Sequence, residues 1–231
     1  MATSGVITGI LTAAEIITMA HELAGVSTEG QPSQPAWNTD VALRHLNWML
    51  KSMQSDGCHA FRREVITFTW TGAAASTAFD NTGGRPENVL DVLEMRVRNS
   101  SSIDRQLTRI EWDEYAEIPN KTLAGNPISF SLVKSISNMT AYIWPVPSSN
   151  TTIYATVERV IEDVTAISQN VDIPQEWTEC VVYKLADRLN AILGFSGTAS
   201  AQMIAQRGDI LYRALRAADE PASVFFSPAS R

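Results

Sequence analysis

Apolar positions recur along this chain with two different periods, near 3.6 toward both ends and near 2 through the middle. At the start, Thr12-Ala13-Ala14-Glu15 has capping-box spacing: the hydroxyl is placed to accept from an early helix N–H, and the carboxylate three residues on reaches back. A helix over 13–24 follows from it, ending before Gly25. After the turn-rich stretch 30–35, Thr39 is a cap for a second helix with Val41, Ala42, Leu46, Met49, Leu50 and Met53 on its core side and Gly57 as its stop. From Arg62 the period shortens, with Ile66, Phe68 and Trp70 on one face of a strand and Val65, Thr67 and Thr69 on the other. Glycines and prolines between 71 and 86 read as a long loop or hairpin tip. Further strands are expected at 89–98, 106–110, 128–134, 141–144 and 153–161. Trp112, Tyr115 and Ile118, three apart, indicate a short amphipathic helix crossing the sheet.

Helical periodicity returns at Asp172-Ile173-Pro174-Gln175-Glu176-Trp177, where proline and acids suit the first turn of a helix. Trp177, Val181, Leu185, Leu189 and Ile192 then form a core-facing stripe flanked by Cys180, Ala186 and Leu193. The short link 194–197 leads to a last helix over 199–218, with Ile204, Leu211 and Leu215 on one side, and Glu220-Pro221 ends it. The predicted fold class is α+β, a helical bundle built from the N- and C-terminal helices with a β-sheet-rich insertion between them. In residue terms, 1–60 and 172–220 make the bundle, 61–171 the insertion, and 221–231 an extended docking tail.

Composition narrows the chemistry. With 231 residues, 45% of them hydrophobic, the chain buries a sizeable core. Its net charge of −7 argues against gripping nucleic acid, which takes clustered Lys and Arg, although not against lying beside DNA. The N-terminus lacks the pattern of a secretory signal and no apolar run is long enough to span a bilayer, so the expected compartment is cytosolic. Two cysteines without CxxC spacing are expected to be reduced and mostly buried.

Candidate chemistry is sparse. His21, His45 and His59 are dispersed, with no HExxH or HxH pattern, which favours structural or surface roles over a metal cluster of His45, Cys58 and His59. No GxSxG elbow, GxGxxG or phosphate-cradling loop occurs. The acids Glu111, Asp113, Glu114 and Glu117 offer carboxylate pairs for a glycosidase, yet a solvated face explains them better. Trp70, Trp112, Tyr142 and Trp144 are candidates for a base-stacking platform, but without interleaved basic residues packing between sheet and helices is the stronger expectation. Val224, Phe225 and Phe226 near Pro228 make an apolar segment without periodicity, suited to docking. The residues thus predict a scaffold without enzymatic activity, catalytic site, metal or cofactor.

Three stretches carry a likeness to a known family: Gly125-Asn126-Pro127-Ile128-Ser129-Phe130, Tyr142-Ile143-Trp144-Pro145-Val146-Pro147, and Ile173-Pro174-Gln175-Glu176-Trp177 with Leu185-Ala186-Asp187-Arg188-Leu189. Their order and spacing, from about Thr12 to Ala218, resemble the head-to-tail adaptors of short-tailed bacteriophages, the tail accessory or packaged-DNA stabilisation proteins. The resemblance implies a virion structural protein at the head-to-tail junction, forming a ring of twelve copies beneath a portal protein and presenting a platform to a nozzle or needle protein. Genomic DNA would pass through the channel unread, and assembly would take place in the host cytoplasm. It also implies that Val224, Phe225, Phe226 and Pro228 touch the portal, while Trp177, Val181, Leu185 and Leu189 form the core of the ring wall. A cell-wall hydrolase of the virion, or another minor virion part, is the alternative.

Overall fold

Helix α1 (Ala13–Leu23) begins where the sequence places its cap: the Thr12 hydroxyl accepts from Glu15 N at 3.3 Å, and Thr12 N donates to the Glu15 carboxylate at 2.8 Å. Those bonds hold the Glu15 carboxyl below its ordinary range. The structure is a computed structural model and describes residues 11–25, 36–56, 62–98, 103–135, 138–194 and 197–219. The chain divides into two compact units, one formed by Met1–Phe61 with Ile161–Arg231 and the other by Arg62–Val160.

In the first unit, α1 is joined by α2 (Ala36–Ser55), α4 (Thr178–Leu193) and α5 (Ala199–Asp219). Ile16, Ile17 and Ala20 of α1, Leu46, Met49 and Leu50 of α2, and Val181, Leu185 and Leu189 of α4 bury their side chains in one cluster. A 3-10 turn over Gln175–Trp177 feeds α4, and Gly194, with φ of +83°, closes it in the left-handed conformation that glycine adopts without a Cβ penalty. Ile192, expected on the core stripe, is 43% exposed instead.

The segment 161–172 is irregular, yet its backbone is satisfied by side chains. Asn47 donates to Val164 O and accepts from Val164 N, both at 2.9 Å. One turn on, Lys51 Nζ donates to Ile161 O, and Gln54 Oε1 accepts from Ile161 N at 3.0 Å. Residues 47, 51 and 54 share one face of α2, so the helix presents side-chain groups where a neighbouring strand would present backbone. At the far end of the segment, Ala13 N and Ala14 N donate to Gln169 O and Ile167 O, which occupies two donors that a helix start leaves open.

The second unit holds two four-stranded sheets. One has the order β1 (Arg63–Trp70), β8 (Thr151–Arg159), β3 (Val89–Arg98), β4 (Asp104–Gln106), all antiparallel. The other runs β2 (Ser76–Phe79), β7 (Met139–Trp144), β6 (Ser129–Lys134), β5 (Thr108–Arg109), with β5 and β6 parallel. Ile66, Phe68 and Trp70 point inward, as the alternation requires, and meet Phe79, Val92, Met95, Phe130, Ala141, Ile143, Ile153 and Val157 in a separate core. Leu107 links the sheets: its N donates to Met95 O, while Thr108 N donates to Ile128 O.

This arrangement corrects the expected fold class. The architecture is α+β with two sheets and, among the described residues, five α-helices, rather than a helical bundle flanking a β-rich insertion. The strand-rich part carries its own core because both sheets have one apolar face and bury each other. Trp70 accordingly packs between sheets, with Phe68 at 6.3 Å between ring centroids, and not between sheet and helices. The stretch 71–86, expected as a loop, contains β2, and the strand expected over 106–110 is split between the sheets at Leu107.

Candidate functional site

Two of the stretches quoted above form one corner of the strand-rich unit. Gly125 N donates to Val146 O and Val146 N to Leu123 O, both at 2.8 Å, and Ile128 N donates to Trp144 O at 3.0 Å. Gly125 lies so close to Pro145 that an added Cβ would stand 3.3 Å from the proline Cβ. Trp144 precedes Pro145 through a cis peptide and donates its indole N–H to Asn120 O at 2.9 Å.

Beyond this corner lies an open cleft of about 830 Å³, walled by Gly125–Pro127, by Pro147–Thr152 and by Arg98 and Asp104. Gly72 braces two of these lining residues: its N donates to the Asn150 side chain at 2.9 Å, and a Cβ there would stand 2.8 Å from the Ser149 backbone. Arg98 grips Asp104 with two bonds, 2.6 and 2.9 Å, lies 4.2 Å over the Tyr154 ring and donates to its hydroxyl at 2.9 Å. The pairing lowers the Asp104 carboxyl and raises the guanidinium of Arg98, so both stay charged and turned toward each other. The rest of the lining is mixed, with the hydroxyls of Ser148, Ser149, Thr151 and Thr152 beside Val97, Ile103, Arg105 and Pro127.

The carboxylates considered for hydrolysis lie elsewhere. Glu111, Asp113, Glu114 and Glu117 are exposed on and beside α3 (Trp112–Glu117), and none lines the cleft. The opposite side of α3 makes an aromatic cluster, with Trp112 5.6 Å from Tyr115 and 5.0 Å from Tyr142 between ring centroids. Burial raises the Tyr115 hydroxyl pKa, and Lys121 approaches its ring at 5.8 Å. Trp112 is half exposed; Trp70 is fully buried, so the four aromatics do not form a single stacking platform.

The histidines are separate too. His21 is buried, and loss of solvent lowers its pKa. His45 sits edge-on to Trp48 at 5.0 Å, its pKa lowered by burial and then by Arg188 and Arg44. Among the described residues no three His, Cys, Asp or Glu side chains gather for a metal, and His59 and Cys58 lie outside those residues. Cys180 is a buried cysteine in no disulfide.

In the helical unit, Trp177, Val181, Leu185 and Leu189 all lie in the core. Val224, Phe225, Phe226 and Pro228 lie outside the described residues. Composition did not reveal the exposed apolar side chains of the helices, Trp48 at 60%, Met203 at 70% and Ile210 at 61%. For α5 the signal was in the sequence, since Met203 and Ile210 are seven apart and lie about 100° around the helix from Ile204, Leu211 and Leu215.

No family model matches the chain, and no curated protein matches it. Among solved structures, the chain is similar to one in the neck of an empty GTA particle computed with C6 symmetry, at 11% identity and a TM-score of 0.30 over 78% of this chain and 80% of that one. A score of that size constrains neither fold nor role. No described helix is long and apolar enough to cross a membrane.

Proposed function

We propose that this chain is a structural component of a virion head-to-tail junction, an adaptor that binds a portal ring after packaging, forms a ring of twelve copies and offers a platform for tail attachment. The observation that carries the proposal is the ordered likeness of the three quoted stretches to such adaptors. It is supported by the role these stretches have in the chain: two hold each other in the corner at Gly125 and Val146, and the third starts α4 through its 3-10 turn. A likeness in residues that shape backbone is what a shared scaffold leaves behind.

The work is done by binding free energy, not by turnover. Exposed apolar side chains such as Trp48 supply contact area to neighbouring copies, and aromatic anchors dominate such contacts. Val224, Phe225, Phe226 and Pro228 supply the portal contact, repeated by ring symmetry. The acidic balance of −7 keeps DNA from adhering as it slides through, because like charges repel within a Debye length of about 8 Å at physiological salt.

Purified protein mixed with portal rings and viewed by electron microscopy tests the proposal. A closed ring on one face of the portal is expected, and its loss is expected on deletion of residues 222–231. Protein that leaves portal rings bare sinks the adaptor reading; rings that form equally well without 222–231 sink the assignment of the tail alone. Clearing of cell wall by the purified protein in zymography would replace the proposal with the hydrolase alternative.

A further inference from the structure

Helix α5 has two apolar faces, and only one has a partner among the described residues. Ile204, Leu211, Tyr212 and Leu215 pack on the core of the helical unit, and a Cβ added at Gly208 would meet the Lys184 side chain on α4 at 3.5 Å, an ordinary contact. About 100° around the helix, Met203 is 70% and Ile210 61% exposed, and Ala214 and Ala217 continue the same stripe at exposed positions. The spacing 203, 210, 214, 217 keeps all four within one narrow band of the helix surface.

We infer that this band is the docking track for the chain's own segment Val224-Phe225-Phe226 in the unassembled protein. Chain geometry favours that occupant. Proline at 221 lacks the N–H that a longer α5 would use, which allows a reversal soon after Asp219. Phe226 is seven residues past Asp219; after two or three residues spent on a reversal, the rest reach back about 13–17 Å at roughly 3.3 Å each. Ile210 is nine residues before Asp219, about 13 Å along the helix at 1.5 Å per residue. The phenylalanines and Ile210 therefore come level. Ser223 and Ser227 flank the aromatic group, and Met203 and Ile210 match it chemically as thioether and alkyl partners for aromatic rings.

Tethering decides between this segment and a second copy. A link of a few residues holds the segment at an effective concentration in the millimolar range, above that of separate subunits at ordinary protein concentrations. The inference does not depend on the head-to-tail proposal. If that proposal holds, the same segment exchanges α5 for the portal on assembly, and the free subunit keeps its apolar band covered until then.

Photo-crosslinking of the full-length chain tests it. With p-benzoylphenylalanine placed at position 226, irradiation should join the C-terminal tryptic peptide to the peptide 208–213, in a product that migrates as a monomer on a denaturing gel. Ile210→Asp, at an exposed position, should leave the circular dichroism unchanged and lower that product about tenfold, the factor expected for loss of one buried aliphatic contact. Trp48→Asp, exposed on α2, should leave the yield unchanged. A product migrating as a dimer would give the band to a second copy and overturn the inference. So would cross-links that avoid α5, the absence of any cross-link, or a yield indifferent to Ile210→Asp.

Discussion

Replacing Asn47 by alanine removes the side chain that stands in for a strand beside Val164. The wild-type amide makes two bonds of 2.9 Å, one to the N–H and one to the carbonyl of a residue whose side chain is only 3% exposed. Each bond contributes about 1 kcal/mol net, and each buried backbone group left without a partner costs about 1 kcal/mol or more, so the gross loss is about 2–4 kcal/mol. Alanine recovers roughly 0.6 kcal/mol as the better helix former, leaving a net loss of about 1.5–3.5 kcal/mol. Asn47→Asp separates the two bonds: its oxygen still accepts from Val164 N, but a carboxylate faces Val164 O, and the loss should be at least half that of alanine. Urea unfolding gives the free energies, and amide exchange at Val164 reports the bond itself, with faster exchange expected in Asn47→Ala and retained protection in Asn47→Asp. A loss under about 0.5 kcal/mol with Val164 still protected in Asn47→Ala would show that the amide is not what holds this segment.

Leu185, fully buried in the helical core, should cost about 2–5 kcal/mol on substitution by alanine, read as a lowered unfolding midpoint. Gly84→Ala and Gly194→Ala share a positive φ, but only at Gly84 would the new Cβ stand 2.7 Å from a backbone oxygen, that of Thr67. Thermal unfolding should therefore show about 1 kcal/mol of loss at Gly194 and about 2–3 kcal/mol at Gly84; equal losses would mean that the loop yields freely. His21 titrates below its ordinary value of 6.5 because it is buried, so the unfolded chain binds a proton first as pH falls. Stability should decline below about pH 6.5, and the part of that slope due to His21 should vanish in His21→Leu; a variant with the same slope would assign it to other groups.

Local signals along the sequence were accurate where local physics decides. The Thr12–Glu15 box, the stripe from Trp177 to Leu189, the alternation Ile66, Phe68, Trp70 and the strand Val89–Arg98 all appear in the structure. Pairing was not legible. Nothing in the residues around Leu107 says that the chain leaves one sheet and joins another there, and period-2 alternation marks an apolar face without naming what covers it. Trp70 was therefore assigned to a helix–sheet interface when two sheets bury it between themselves, whereas Trp112 and Tyr142 do meet where α3 lies against its sheet. Short β2 was hidden among the glycines and polar residues of 71–86, because four residues carry too little periodicity to read. The corner at Gly125 and Val146 likewise joins residues about twenty apart whose contact only the fold reveals.

The first and last strands of the strand-rich unit are neighbours, with Arg63 opposite Glu158, so the chain enters and leaves this unit about 5 Å apart. A unit with adjoining ends is a cassette. Its interior can grow, shrink or be exchanged for another fold with the same narrow gap, and the residues on either side need not change their spacing. Variation between relatives of this chain should thus come in whole blocks at 62–160, with the edges of the block better kept than its contents.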